Sequence, residues 1–158
     1  NNIPHLILTR KLIPNMLTRP NKSGVIFVSS ISGAYPSMMS SVYSASKAFL
    51  DFLSRGLRIE FGEKIDFLSI RPYLISTPLM CNAPAGGPII TAQDFVKSAL
   101  NRLGVVPYCY GHWKHEIYGR IFTHTPFRNI MLGYYGKKVR ESATKNKDNL
   151  KIDHLIRE

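Results

Sequence analysis

The chain has 158 residues, of which 44% are hydrophobic and 20% are charged, as in an ordinary folded domain rather than a disordered or fibrous protein. Its two cysteines, Cys81 and Cys109, form neither a disulfide framework nor a metal-binding spacing, so we expect no metal site and a reducing compartment. No run of about eighteen apolar residues occurs, which excludes a membrane-spanning helix in this sequence. The net charge of +11 favours anionic partners.

The first predicted elements are a helix and a strand. The segment from Leu6 to Leu17 predicts a helix, and the residues from Pro20 to Gly24 are typical of a turn. The run from Gly24 to Ser30 is rich in β-branched and aromatic residues. It predicts a buried strand that ends in two serines.

A long helix is predicted from Val42 to Phe61, because apolar residues recur there at helical spacing. Tyr43 and Lys47 stand one turn apart at its start, so both side chains leave the same face. A cation beside a phenol favours the phenolate, which makes the phenol a better proton donor near neutral pH. Taken alone, such a pair is more often an ordinary exposed tyrosine and lysine than a catalytic pair.

The remaining elements alternate strand and helix. A second strand is predicted from Ile65 to Ile70, and the loop from Leu79 to Ile90 has the Gly and Pro content of a hinged lid. Thr91 with Asp94 resembles a capping box for a helix that runs to about Leu103, and a short strand of the Tyr108-Cys109-Tyr110 type follows. Strands separated by helices and short loops predict a doubly wound parallel sheet, here only in part.

Five histidines are scattered along the chain. His112 and His115 lie three residues apart, but no carboxylate or thiol pattern completes a metal site around them. We therefore expect them to be solvated surface histidines.

The order of these features is more specific than any one of them. A strand ending in Ser30 is followed by the Tyr43–Lys47 helix, a second strand, Pro72, and a threonine five positions later at Thr77. This constellation resembles the catalytic half of the short-chain dehydrogenase/reductase family. The likeness extends from residue 1 to about 145, and is closest to the membrane-associated 17-beta-hydroxysteroid dehydrogenase branch in three stretches: Tyr43 to Ser54, Arg71 to Tyr73, and Thr91 to Leu100.

The resemblance implies a set of catalytic residues for carbonyl reduction by hydride from NADPH. Tyr43 would donate the proton, Lys47 would assist it and hold the nicotinamide ribose, and Ser30 would polarise the substrate carbonyl. Asn1 would hold a water that connects Lys47 to solvent.

Three further positions match the family's nicotinamide-binding segment. The resemblance implies that Pro72, Ile75 and Thr77 line the nicotinamide, with backbone and hydroxyl groups that fix its carboxamide.

The Gly-rich turn that seats the cofactor pyrophosphate in this family, Thr-Gly-x-x-x-Gly-x-Gly, does not occur in the sequence. We expect the α/β fold to be the C-terminal half of a Rossmann-like doubly wound parallel sheet, without the N-terminal Gly-rich half. The chain would then be a fragment of a longer reductase. Its residues 1–112 would form the catalytic half of the domain, and residues 113–158 a basic, partly amphipathic extension.

The resemblance implies reduction of a 3-oxoacyl-CoA in fatty acid elongation, and reduction of a steroid ketone is the alternative. It also implies a homodimer through the Tyr43–Phe61 helix and a place at the endoplasmic reticulum membrane. Two other interpretations stay open, namely a non-catalytic truncated product and a basic membrane-binding module.

The basic surplus suits lipid headgroups or a phosphate-bearing acyl-CoA, and no nucleic-acid-binding motif accompanies it. The segment from Ile117 to Tyr135 mixes apolar, aromatic and basic residues and is broken at Pro126. It predicts either an interfacial helix pair at a membrane surface or C-terminal helices that close over the core.

Overall fold

A computed structural model of the protein describes residues 2–35, 40–80, 83–124 and 137. Helix α1 spans Asn2–Leu17 and begins four residues before the predicted start at Leu6. Only Ile13 of this helix is buried, and the exposed apolar side chains include Leu8 and Leu12.

A three-stranded parallel sheet forms the centre of the described fold. Strand β1 spans Ser23–Val28 and strand β2 spans Ile65–Ile70, and they pair in register from Ser23 opposite Ile65 to Val28 opposite Ile70. The sheet order is β1-β2-β5, where β5 is the short strand Tyr108–Cys109. Two further short strands, β3 (Ile75–Ser76) and β4 (Ile90–Thr91), form a separate parallel pair.

Three more helices follow strands, as the alternation in the sequence predicts. Helix α2 spans Ser41–Phe61, α3 spans Ala92–Leu100, and α4 spans Trp113–His124. The N-cap of α3 is Thr91, whose Oγ1 accepts a hydrogen bond from the Asp94 backbone N at 3.1 Å, so the predicted start is right. The helix ends before the predicted Leu103, because turns from residue 101 lead into Gly104 at φ +79.

Strand β2 supplies core residues to both faces of the sheet because its side chains alternate. Ile65 and Phe67 pack with a cluster against α1 and α2, and Leu68 and Ile70 pack with a cluster against α3. The first cluster also holds Ile13, Phe27 and Leu50, and the second also holds Ile90, Phe95, Ala99 and Cys109. Helices therefore cover both faces of a parallel sheet.

No helix within the described ranges combines the length and the apolar content needed to cross a bilayer. The predicted interfacial segment from Ile117 to Tyr135 enters these ranges only as the second half of α4. The rest of that segment lies outside the described residues. The division at residue 112 stays a prediction.

Candidate active site

The carboxyl ends of β1 and β2 meet at one edge of the sheet. The Ser29 backbone N donates to the Ile70 carbonyl at 2.8 Å, and the Ile31 N donates to the Pro72 carbonyl at 3.0 Å. Because these bonds cross from one strand's exit segment to the other, Ser30 and Pro72 lie on neighbouring stretches of backbone. Ligands of open parallel sheets bind beyond this edge.

Ser30 is a buried residue in extended conformation, at φ −162 and ψ 159. Its Oγ accepts a hydrogen bond from the Ser32 backbone N at 3.2 Å, which caps the short 3-10 turn Ile31–Gly33. A hydroxyl that accepts one bond still has its own proton to donate. Ser30 can therefore donate to a carbonyl oxygen.

Tyr43 and Lys47 lie near each other in the first turns of α2, as predicted. The Lys47 Nζ is 5.7 Å from the centroid of the Tyr43 ring and donates to the Val28 carbonyl at 3.0 Å. This bond ties the lysine to the end of β1, just before Ser30. The Tyr43 side chain is 42% exposed, so a substrate can reach it.

Two residues that sequence reasoning did not single out join α2 to the end of β1. Ser29 is buried and its Oγ donates to the Lys47 carbonyl at 2.7 Å. Gly33 permits the close approach, because an added Cβ would lie 2.6 Å from Ser29 Oγ and 2.9 Å from the Lys47 carbonyl carbon. The two adjacent serines after a strand were the sequence signal for this site. The bond of Ser29 to Lys47 becomes evident only once the packing of α2 on β1 is known.

The expected nicotinamide-lining residues follow β2 on the same edge. Ile75 pairs with Ile90 in the small β3–β4 sheet, and Thr77 Oγ1 donates to the Ile75 carbonyl at 3.4 Å. Pro72 accepts the hydrogen bond from Ile31 described above. Asn1, the fourth residue that the resemblance implied, lies outside the described residues.

A buried ion pair braces α2 against β2 and was not predicted. Asp51 is 4% exposed and accepts two hydrogen bonds from Arg71, at 2.9 Å to Oδ1 and 2.7 Å to Oδ2. Ser69 Oγ also donates to Asp51 Oδ1 at 2.8 Å. Burial lowers the pKa of Arg71, but the hydrogen bond and charge of Asp51 more than offset it, so the net pKa is raised. The arginine stays charged.

A cavity of about 410 Å³ lies beside this ion pair rather than beside Tyr43. Arg71, Arg120 and Glu116 are among its lining residues, and Arg120 pairs with Glu116 at 3.2 Å. Neither Ser30, Tyr43 nor Lys47 lines it. We therefore assign the cavity no part in the chemistry.

His115 is buried, and the prediction that it would be a solvated surface histidine is wrong. It is 0% exposed, its Nδ1 lies 3.3 Å from the Tyr73 backbone N, and its Nε2 lies 3.1 Å from the Leu74 carbonyl and 3.2 Å from the Pro88 carbonyl. These backbone groups replace water as its partners. Burial lowers the pKa of His115, which favours the neutral ring.

The chain matches the model of the short chain dehydrogenase family over residues 1–86, which is more than half of its length. It therefore belongs to that family, whose members are oxidoreductases. A curated relative, the very-long-chain 3-oxoacyl-CoA reductase of Anas platyrhynchos, is 32% identical over 143 residues. This match covers 89% of the chain and 46% of the duck protein, so the chain spans about half the length of such relatives.

Solved structures agree on the fold. A 7beta-hydroxysteroid dehydrogenase superposes with a TM-score of 0.65 at 22% identity, over 84% of this chain and 51% of the other. A short chain dehydrogenase from Burkholderia cenocepacia, solved in complex with NADP, gives 0.62 at 24% identity, over 76% and 51% of the two chains. The prediction of a partial Rossmann-like α/β fold is confirmed.

Proposed function

We propose that this chain forms the catalytic half of an NADPH-dependent reductase that acts on a 3-oxoacyl thioester of coenzyme A. The observation that supports the proposal is that Lys47, beside Tyr43, donates to the Val28 carbonyl at the end of the strand that Ser30 follows. The name of the duck relative supports the acyl thioester as substrate. A fragment assignment is supported by the 46% coverage of that relative.

In this proposal Tyr43 donates its phenolic proton to the substrate carbonyl oxygen. Ser30 donates a hydrogen bond to the same oxygen and stabilises the negative charge that develops on it. Lys47 stabilises the phenolate that Tyr43 leaves behind, and Asn1 holds a water through which the proton is replaced from solvent. The donor groups for these roles are the Tyr43 phenol, the Ser30 hydroxyl, the Lys47 ammonium and the Asn1 amide.

The side chains around this edge fit a nicotinamide nucleotide. Lys47 Nζ carries three donors, and its contact with Val28 uses one, so donors remain for ribose hydroxyls. The Thr77 hydroxyl and the backbone around Ile75 offer polar groups for the carboxamide. When bound, the cofactor supplies the hydride. The choice of NADPH follows the family branch that the sequence resembles.

The experiment that tests this function uses a fusion that restores a complete reductase. The part of the duck protein that precedes its matched region is joined to this chain, and the fusion is assayed with NADPH and a long-chain 3-oxoacyl-CoA. Tyr43→Phe removes the proton donor and keeps the ring. We expect kcat to fall by about a hundred- to ten-thousandfold, as for a lost general acid.

The matched control is Tyr108→Phe, because Tyr108 is 45% exposed and loses the same hydroxyl on β5, where its ring contacts Arg71 at 4.2 Å rather than Lys47. Near-normal turnover in the Tyr43→Phe fusion would contradict the proton-donor role. An inactive fusion that binds NADPH would favour the alternative of a non-catalytic product. Faster turnover of a steroid 17-ketone than of the acyl thioester would favour the steroid alternative.

We also propose that the enzyme is a homodimer through α2. Small and apolar residues recur on its outer side at spacings of three and four, which is the pattern of a helix–helix seam. The stripe consists of Val42, Ala45, Phe49, Phe52, Gly56 and Ile59. Val42, Phe52 and Ile59 are 86%, 69% and 88% exposed, so these three have no cover within the described part of the chain, whereas Phe49 packs partly against the core.

Three further proposals rest on the sequence and the family. Residues 1–112 form the catalytic half, and residues 113–158 form a basic extension whose first helix, α4, packs on that half and whose remainder binds anionic membrane surfaces. The enzyme works at the endoplasmic reticulum membrane. Basic residues concentrated after residue 136, with aromatic and apolar residues before them, support the membrane contact.

A further inference from the structure

His115 lies at the neck of the loop that follows the expected nicotinamide-binding segment. The loop leaves the core after Leu74, begins as β3 at Ile75, and returns to the core as β4 at Ile90. The His115 Nε2 is within hydrogen-bond distance of the carbonyls of both Leu74 and Pro88, one at each end of the loop. The side chain therefore spans the two backbone stretches that the loop connects.

The partners of His115 define its hydrogen-bonding state. The Tyr73 backbone N can only donate, so the Nδ1 that faces it at 3.3 Å accepts. The two carbonyls can only accept, so the Nε2 that faces them carries the proton. The neutral ring with its proton on Nε2 matches these three backbone groups. Burial lowers the pKa of His115, and a further hydrogen bond to the Tyr110 backbone raises the pKa without offsetting that lowering.

The helix that carries His115 is itself held firmly on the core. The His115 ring centroid is 6.0 Å from that of Phe95 on α3, and the Tyr73 and Tyr118 rings are 5.7 Å apart. One turn after His115, the added Cβ of any other residue at Gly119 would collide with the Tyr110 ring. Helix α4 thus provides a fixed platform for the imidazole.

We propose that His115 is a positioning residue that closes the neck of the 75–89 loop and so holds Ile75 and Thr77 in place for the nicotinamide. It touches neither substrate nor cofactor and acts through the carbonyls of Leu74 and Pro88. Because those carbonyls flank the loop, loss of the Nε2 donor loosens both ends together. The inference rests on the proposed function in so far as Ile75 and Thr77 line the cofactor.

Two substitutions separate the neck contact from the rest of the packing. His115→Gln places an amide donor near the former Nε2 position and gives up the acceptor for Tyr73. His115→Asn keeps an acceptor near the former Nδ1 position and cannot reach Leu74 or Pro88. Both are uncharged amides, but Asn is one methylene shorter and leaves space at this buried site. His115→Leu fills that space without a donor, so it should behave like His115→Asn if the neck contact matters and like His115→Gln if only packing does. His112→Asn is the control, because the His112 ring also contacts His115, with centroids 6.1 Å apart, but accepts its hydrogen bond from the Lys114 backbone N rather than bonding the loop neck.

The first test is hydrogen exchange of the 158-residue chain, measured for peptides from the loop neck and from α2. The Ile90 amide, which donates to the Leu74 carbonyl at 3.3 Å, reports the neck. We expect its exchange to be about five- to tenfold faster in His115→Asn, as for a lost hydrogen bond, and close to wild type in His115→Gln and His112→Asn. Equal acceleration in His115→Asn and His115→Gln, or acceleration of the α2 amides by the same factor, would overturn the proposal.

The second test uses the reductase fusion and separates this proposal from the proposed function. We expect His115→Asn to raise the KM for NADPH about tenfold with a smaller change in kcat, and His115→Gln to restore the wild-type KM. An unchanged KM in an active His115→Asn fusion would overturn the positioning role and leave the reductase assignment standing. A fusion with no reductase activity would contradict the proposed function, and the exchange measurement would still decide whether His115 closes the neck.

Discussion

Asp51 on α2 provides a hydrogen-bonded contact between that helix and β2. Its carboxylate is buried and receives hydrogen bonds from Arg71 and Ser69, which both belong to β2 or its exit. A buried pair of this kind contributes little net stability compared with an apolar pair, but breaking it leaves an uncompensated charge. The pair therefore fixes where Pro72 lies relative to the helix that carries Tyr43.

Substituting Arg71→Met should destabilise the chain strongly, because Asp51 is then left charged and buried without its main partner. We expect the free energy of unfolding in urea to fall by about 3–5 kcal/mol. Arg55→Met is the control, since Arg55 is half-exposed and lies 3.9 Å from the same carboxylate. It should cost less than about 1 kcal/mol. Similar losses of unfolding free energy in the two variants would mean that the Arg71–Asp51 pair contributes no more to stability than the pair that half-exposed Arg55 forms with Asp51.

His115 should make stability depend on pH. Its folded-state pKa lies below the ordinary value of 6.5, so the unfolded chain takes up the proton first as pH falls. The stabilisation is complete above pH 6.5 and is lost below it. The titratable side chains that face His115 are Tyr73, from the segment after β2, and His112, at the start of α4.

The measurement is urea unfolding of the wild type and of His115→Gln at pH 7.5 and at pH 5. Glutamine does not titrate, so the variant lacks the proton uptake of His115. We expect the wild type to lose more stability than the variant over this range. Parallel losses in the two proteins would assign the pH dependence to other groups.

At the scale of elements, the sequence predicted those parts that depend on local pattern. β2 is predicted to the residue, and α2 begins one residue before its predicted start, because both have strong periodic patterns. The start of α1 and the end of α3 were missed, since terminal turns depend on the chain around them. Of the proposed site, the short spacing of Tyr43 and Lys47 predicts that they lie near each other, and Lys47 Nζ is 5.7 Å from the Tyr43 ring centroid. The contacts of Asp51 with Arg71 and of His115 with Pro88 join residues that are far apart in the sequence, so no local pattern predicts them.

Helix α2 provides a test of self-association. Phe52→Glu places a charge in the middle of the exposed stripe, where a facing copy would have to bury it. We expect the reductase fusion to change from dimer to monomer in analytical ultracentrifugation. Val96→Glu is the control, because Val96 is 51% exposed on α3, away from the stripe. A dimer that survives Phe52→Glu would rule out α2 as the interface.

At the scale of the whole molecule, the described fold leaves a strand edge and apolar helix side chains exposed. β1 lies at one edge of the three-stranded sheet, and α1 beside it exposes Leu8 and Leu12 at 57% and 47%. A small apolar cavity lies between α1 and β1. An unpaired strand edge next to apolar surface favours further association. In the proposed reductase, this surface would face the part of the protein that carries the Gly-rich turn.

The cofactor should therefore need more than this chain. We expect the 158-residue chain to give no measurable heat with micromolar NADPH in calorimetric titration, because its sequence has no Gly-rich turn for the pyrophosphate. We expect the reductase fusion, which adds the preceding part of the relative, to bind in the micromolar range. Micromolar binding by the chain alone would contradict the fragment assignment.

Helix α2 carries Tyr43 and Lys47 on one side and the apolar stripe on the opposite side, as their spacing around the helix dictates. A second copy that packs on the stripe would also restrict the motion of the helix that orients the Tyr43 phenol. Enzyme concentration then becomes a catalytic variable through mass action. For the proposed dimer, specific activity would decline as the protein is diluted below the dissociation constant, and a cell that makes little of the enzyme would obtain less than a proportionate share of its turnover.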